Sequence, residues 1–309
     1  MRLNFRAVFA LVLSGALLFA GCSTASSQQS TPDPSESRVL KVLAAENFWG
    51  SIAGQLGGKQ VKVTSIINSP DADPHEYEPT AGDGRAMATT DLALVNGLGY
   101  DSWASNLADA NPAPARTTLD VGRLLGLPAD ANPHRWYNPA DVAAVVDQLT
   151  ADFKRLDPAD ASYFDEQRTA FTTTTLAAYH GAMSDIKNRF AGTPVGASES
   201  IVAMLAPALD LRLITPPSFL TAISQGADPT AADKTTVDEQ LNSGAVKVYV
   251  YNSQNATPDI QAQLRLADRK GIPVSTITET LPAGVDSWQQ WQTTQLLALR
   301  DALAKATGR

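Results

Sequence analysis

Two histidines lie in proline-containing loops whose composition suits metal binding. His75 belongs to the run Asp-Pro-His-Glu-Tyr-Glu-Pro at residues 73–79, and His134 belongs to Asn-Pro-His-Arg-Trp at residues 132–136. The chain has only three histidines, so two of the three occur in this setting. Neutral imidazole is the commonest protein ligand of transition-metal ions. Either loop alone fits a structural histidine equally well, but the two together favour a metal site.

The position of the first loop along the chain supports the same interpretation. His75 follows closely on a β-branched run at residues 61–67 that has the composition of a buried strand. Open parallel sheets bind their ligands in the crevice beyond the carboxyl ends of their strands. We therefore expect His75 to lie where such a sheet would place a ligand.

The elements that position these loops follow a pattern that occurs twice. Apolar, β-branched runs alternate with helix-length segments in each half of the chain, and the strands predicted are residues 39–43, 61–67, 92–95, 195–197, 246–251 and 274–277. Such alternation is typical of a parallel sheet covered by helices. The predicted fold class is therefore α/β, with two lobes that each contain a mostly parallel sheet flanked by helices.

A long helical region separates the two halves. Asp141 begins a helix with one apolar face, and Asp157-Pro158 ends it and begins another that runs to about residue 189. A helix of roughly 30 residues spans about 45 Å, which is enough to join two lobes as a stiff spine. The predicted division is an N-terminal lobe at residues 38–157, a long rigid connecting helix at 158–190 and a C-terminal lobe at 191–309.

The N-terminus has the pattern of an export signal. Arg2 and Arg6 precede an apolar run that is too short to span a bilayer, and the run ends at Ala20-Gly21-Cys22. Cys22, the only cysteine, resembles the acylated residue of a bacterial lipoprotein. We expect residues 1–21 to be a signal peptide, residues 22–37 to be a flexible tether, and Cys22 to carry a lipid anchor that holds the protein outside the cell membrane. A secretory signal with an incidental cysteine is the alternative.

Composition excludes several other classes of protein. The net charge is −8 without a stripe of Lys and Arg, which argues against binding to nucleic acid and is compatible with attracting cations. A single cysteine leaves no disulfide framework and no thiolate metal site, so a bound metal needs nitrogen and oxygen ligands.

Together with the segment Ala-Leu-Val-Asn-Gly-Leu-Gly-Tyr at residues 93–100, the two histidine motifs resemble the metal-binding solute receptors of manganese and zinc ABC transporters. The similarity covers the chain from about Val39 to Leu303. The resemblance implies one divalent ion, Mn²⁺ or Zn²⁺, held between two lobes of a monomer that delivers it to an ABC permease and its ATPase.

The resemblance also implies the ligands. His75 and His134 match the two ligands of the first lobe. Glu199 matches the third, which follows the first strand of the second lobe. The fourth is usually Asp, and here Glu279 occupies that position. The competing interpretations are a carboxylate in the first turn of a helix for Glu199 and a solvated loop acid for Glu279.

The donor set leaves the choice of metal open. Two imidazoles and two carboxylates neutralise a divalent ion, and carboxylates that bind through both oxygens suit manganese. Zinc has the higher intrinsic affinity for such ligands. The loop between Thr80 and Asp91 has no histidine, unlike that of many zinc receptors, and this slightly favours manganese.

Polar residues near the predicted ligands are candidates for hydrogen bonds that orient them. A hydrogen bond to the second imidazole nitrogen fixes the tautomer of a metal-ligating histidine, and the candidates for such outer contacts are Glu76, Asn138, Asn252 and Gln254.

A metal-dependent hydrolase is the alternative function, although the chain lacks a His-Glu-x-x-His pair and a Gly-x-Ser-x-Gly elbow. A surface adhesin is a third possibility that these residues neither support nor exclude. We expect no enzymatic activity.

Overall fold

A computed structural model of the protein describes residues 38–70, 72, 74, 75 and 77–309. The predicted signal peptide, the tether and Cys22 lie outside the described residues, and so does Glu76. Among the described residues, no helix is long and apolar enough to cross a membrane.

The first half of the chain forms a four-stranded parallel sheet in the order β2-β1-β3-β4. Its strands are β1 Leu40–Glu46, β2 Val61–Ile67, β3 Leu92–Val95 and β4 Thr117–Asp120. β1 and β3 occupy the centre and are almost wholly buried, which explains their apolar sequences.

The second half repeats this arrangement with the order β6-β5-β7-β8, again fully parallel. Its strands are β5 Pro194–Ala197, β6 Arg212–Leu213, β7 Val248–Asn252 and β8 Val274–Ile277. The predicted fold class is confirmed: two parallel sheets are flanked by helices. The sequence pattern did not predict β4 and β6, which are short edge strands with polar sequences.

Twelve α-helices flank these sheets in the described part of the chain. They are α1 Asn47–Gly57, α2 Ala81–Ala88, α3 Ser102–Ala110, α4 Val121–Leu124, α5 Pro139–Leu156, α6 Ala161–Ala170, α7 Ala177–Phe190, α8 Ile201–Leu205, α9 Pro217–Ser224, α10 Ala231–Asn242, α11 Pro258–Arg269 and α12 Trp288–Thr307. Shorter 3₁₀ turns cover Gly58–Gln60, Arg135–Tyr137 and Pro158–Asp160.

The region predicted as one connecting helix is helical in successive pieces. A π-helical turn at Phe171–Thr175 joins α6 to α7, and Leu176 donates its N–H to the carbonyl of Phe171 at 2.9 Å. Thr172 and Thr173 donate their hydroxyls to the carbonyls four residues earlier. Because such side-chain bonds compete with the backbone ladder, the threonine run accounts for the local widening of the helix.

The two lobes share one apolar core. Phe48 of α1 stacks on Trp136 with ring centroids 3.9 Å apart, and both side chains are fully buried. Trp288 of α12 is also buried and donates its indole N–H to the carbonyl of Trp136 at 3.2 Å. This continuous packing fixes the loop that carries His134 against the C-terminal lobe.

Candidate metal centre

Loops at the ends of strands and helices bring the predicted ligands to the boundary between the lobes. His75 lies between β2 and α2, and His134 lies directly before the turn that leads into α5. Glu199 follows β5 and Glu279 follows β8 in the other lobe. His75, Glu199 and Glu279 thus follow the carboxyl ends of parallel strands, where open sheets bind their ligands, whereas His134 comes from the loop between α4 and α5.

The distances fit the coordination of a single ion. His134, Glu199 and Glu279 each offer one ligand atom, and the three atoms lie within 4.8 Å of one another. Glu279 Oε1 is 3.5 Å from His134 Nε2 and 3.9 Å from His75 Nε2. Two ligand atoms that each lie about 2.1 Å from one ion are separated by roughly 3 to 3.5 Å. The structure thus brings together three of the four predicted ligands, and His75, which lies outside that group, is adjacent to Glu279.

The four residues differ in exposure. His134 is fully buried and Glu199 is 3% exposed, whereas the His75 side chain is 37% exposed. His75, Glu199 and Glu279 line a cleft of about 690 Å³ between the lobes. His75 is thus the most exposed of the four side chains.

Among the buried polar atoms that lack a hydrogen-bond partner in the described part of the chain, two point into this group. They are His134 Nε2 and Glu279 Oε1. Buried polar atoms in native structures are almost always paired, so unpaired atoms that converge need a partner of another kind. A cation supplies that partner for a nitrogen lone pair and a carboxylate oxygen together.

The two carboxylates have opposite pKa shifts. Burial raises the pKa of Glu199, and the negative charge of Glu279 raises it further. Burial also acts to raise the pKa of Glu279, but the imidazoles of His134 and His75 outweigh it and hold that pKa below its usual value. The lowered pKa of Glu279 keeps this buried carboxylate ionised near neutral pH, a state that can bind a divalent cation.

Asn132 fixes the tautomer of His134, a role that the sequence did not reveal. Its Oδ1 lies 2.9 Å from His134 Nδ1 and also accepts the backbone N–H of His134 at 3.0 Å. An oxygen at that position requires a proton on Nδ1, which leaves the Nε2 lone pair free to bind an ion. Asn132 was part of the recognised motif, but only the folded loop shows its contact with the ring.

The candidates for outer contacts have different surroundings. Asn252 donates to the carboxylate of Glu199. Gln254 accepts the backbone N–H of Glu279 at 2.5 Å. Asn138 instead caps α5 by accepting the N–H groups of Ala140 and Asp141, so it supports the helix and not the imidazole.

Aromatic rings enclose the histidines. Tyr100 lies edge-on to His75 with ring centroids 4.7 Å apart, and Trp136 lies 5.3 Å from the ring of His134. Tyr100 and Trp136 are both fully buried. These rings exclude water from one side of the group, which strengthens electrostatic interactions inside it.

Comparison with known proteins connects this geometry to a family. The family model described as "zinc-uptake complex component A periplasmic" matches residues 42–302. The manganese-binding lipoprotein MntA of Halalkalibacterium halodurans is 27% identical over 164 residues, covering 50% of this chain and 51% of the relative. The iron-binding protein YfeA of Yersinia pestis is 26% identical over 176 residues, covering 55% and 54%.

The chain thus spans about half the length of the curated relatives it matches. A solved structure extends the likeness of fold further. The manganese-bound periplasmic metal binding protein from Candidatus Liberibacter asiaticus matches with a TM-score of 0.73 and 17% identity. The match covers 85% of this chain and 99% of that one. The whole described fold therefore corresponds to that of a known metal-binding protein.

Proposed function

Because this chain belongs to the family of periplasmic zinc-uptake components, we propose that it is an extracytoplasmic solute-binding protein of a metal ABC importer. It captures one Mn²⁺ or Zn²⁺ ion between its lobes and delivers the ion to a permease coupled to an ATPase. It acts as a monomer, without catalysis, and is attached to the membrane by a lipid on Cys22.

One observation carries this proposal: buried ligand atoms from opposite lobes converge, and two of them, His134 Nε2 and Glu279 Oε1, lack hydrogen-bond partners among the described residues. His134 belongs to the first lobe, and Glu199 and Glu279 belong to the second. An ion between these residues is bound only while the lobes are together. A small separation of the lobes would disturb the ligand geometry and release the ion. His75, at the cleft, completes the donor set.

The donor set accommodates either metal. Both carboxylates could bind through one or two oxygens, so the coordination number could exceed four, which suits Mn²⁺. Zn²⁺ is favoured by intrinsic affinity at nitrogen and oxygen ligands. Metal analysis of protein purified from its own host, followed by competition between the two ions, distinguishes them.

Binding of Mn²⁺ and Zn²⁺ by the purified metal-free protein tests the proposal. We expect one ion per chain by isothermal titration calorimetry, and loss of high affinity in His134→Ala and His75→Ala with unchanged far-UV circular dichroism. The control is His180→Ala, because His180 is exposed on α7. Near-native affinity in both site variants would show that these histidines do not bind the ion.

A further inference from the structure

Two carboxamide side chains cross the boundary between the lobes at the candidate metal centre. Asn132 Nδ2 donates to the carbonyl of Ser200 at 2.8 Å, and Ser200 directly follows Glu199. Gln254 Nε2 donates to the carbonyl of Pro70 at 2.7 Å, in the loop that leads to His75. Each side chain therefore reaches the ligand segment of the opposite lobe.

Each of these side chains also holds a ligand of its own lobe through its oxygen. Asn132 Oδ1 accepts from His134, both from the backbone N–H and from the ring. Gln254 Oε1 accepts the backbone N–H groups of Glu279 and Thr280 at 2.5 and 3.0 Å. These backbone donors require an oxygen, so the amide nitrogen of each side chain must face the other lobe.

The four ligands are consequently linked as two pairs. Asn132 joins His134 to the segment of Glu199, and Gln254 joins Glu279 to the segment of His75. We propose that Asn132 and Gln254 are positioning residues that couple the arrangement of the ligands to lobe closure and thereby set the rate at which the ion is released. This inference rests on the proposed function of metal capture.

The lobes have other contacts that do not involve the ligands. The backbone N–H of Trp288 on α12 donates to the hydroxyl of Ser51 on α1 at 2.9 Å. Gln55 and Gln289 exchange two amide hydrogen bonds of 3.0 and 2.8 Å. With the shared apolar core, these contacts keep the lobes together when either carboxamide is changed. The proposed role is therefore local to the ligands and separable from folding.

Replacing each amide by the matching acid isolates the bond between the lobes. Asn132→Asp and Gln254→Glu keep an oxygen for the backbone contacts within the lobe but lose the N–H that crosses the boundary. Gln254 Nε2 also donates to the hydroxyl of Thr280 at 2.9 Å, and in Gln254→Glu this hydroxyl can donate to the acid instead. The added negative charge by itself would attract the cation and slow its release. An accelerated release therefore identifies the lost bond, because the charge acts in the opposite direction.

The experiment measures release of Zn²⁺ from the loaded protein into excess chelator by stopped-flow absorbance. Outer-shell changes typically alter metal affinity by 10 to 100-fold. We expect each variant to release Zn²⁺ at least about tenfold faster than the unmodified protein. Gln289→Glu is the matched control. It removes the bond that Gln289 on α12 donates to Gln55 on α1, which joins the lobes away from the ligand segments. It should release Zn²⁺ at the unmodified rate.

A second measurement separates positioning of the ring from closure. The imidazole ¹⁵N shifts of His134 should show the proton on Nδ1 in Asn132→Asp, since an acceptor oxygen remains, although release is faster. Release at or below the unmodified rate in both acid variants would overturn the inference. Failure of the unmodified protein to bind Zn²⁺ or Mn²⁺ would instead contradict the proposed function.

Discussion

Glu199→Gln should have opposite effects on the metal-free and the metal-loaded protein. Glu199 is 3% exposed, and its ligand oxygen lies within 4.8 Å of that of Glu279. Burial and the charge of Glu279 raise the pKa of Glu199, so the ionised metal-free pair is unfavourable. Glutamine removes one of the two charges while retaining an oxygen that can accept from Asn252.

The expected magnitude follows from the separation of the two carboxylates. Two unit charges at most 4.8 Å apart repel by at least about 3.5 kcal/mol at an effective dielectric constant of about 20. Attraction by His134 offsets part of this repulsion. We expect the variant to gain about 1 to 2 kcal/mol in the free energy of unfolding of the metal-free protein at about pH 8.

The pH dependence has a definite sign. A raised pKa means that native Glu199 retains its proton at pH values where the unfolded chain has released it. The free energy of unfolding of the unmodified protein therefore falls as the pH rises above the usual value for glutamate. The gain from Glu199→Gln should grow with pH and disappear in acid, where both states of the unmodified chain are protonated.

Urea unfolding with and without metal measures both effects. An ion at 100 times its dissociation constant stabilises a protein by about 2.7 kcal/mol, or roughly 5 to 10 °C in melting temperature at this chain length. The unmodified protein should show that increase, and Glu199→Gln should lose most of it at the same metal concentration. A variant that is less stable without metal, or that keeps the full response to metal, would refute the assignment of Glu199 as a ligand.

Three further changes in the buried interior, with one control on an exposed helix position, are tested by urea unfolding. Burial and the charge of Asp101 raise the pKa of Glu46. Glu46→Gln should therefore become more stable than the unmodified protein as the pH rises from about 5, by up to ~1.4 kcal/mol per pH unit. A difference in stability that does not change with pH would contradict this. Phe48→Ala should cost about 3 to 5 kcal/mol because its ring stacks on Trp136, and a cost below about 1 kcal/mol would show that the site collapses. Gly57→Ala should cost about 1 to 3 kcal/mol, because its Cβ would lie 2.2 Å from that of Val61. Gly181→Ala on α7 meets nothing within 4 Å and should instead stabilise by about 0.5 to 1 kcal/mol, so equal effects would contradict the packing argument.

The sequence predicted the central strands because their composition is dominated by burial. β1 and β3 are covered on both faces, and their apolar runs are visible without knowledge of the fold. β6 has two residues, Arg212 and Leu213, and lies at a sheet edge, so its sequence carries no distinguishing pattern. Its pairing with β5 is decided by tertiary packing.

The residues of the candidate site were predictable from the sequence by different routes. The proline-containing loops alone pointed to His75 and His134, whereas Glu199 and Glu279 followed from resemblance to a family. Neither pattern could show that Asn132 donates to the carbonyl of Ser200, because the two residues come together only when the lobes meet. Contacts between lobes leave no local periodicity in the sequence, so the coupling of the ligands required the structure.

Glu279 stands where the family resemblance implies an aspartate, and the backbone around it accommodates the longer side chain. Its side chain is longer by one carbon–carbon bond of about 1.5 Å, so the same backbone would move the carboxylate relative to the imidazoles. Gln254 holds the N–H groups of both Glu279 and Thr280, which fixes the loop. From that position Oε1 lies 3.5 Å from His134 and 3.9 Å from His75, separations close to those of ligand atoms that share one ion. The longer side chain and the anchored loop therefore act as one unit, and an aspartate on this backbone would withdraw its oxygen from both imidazoles.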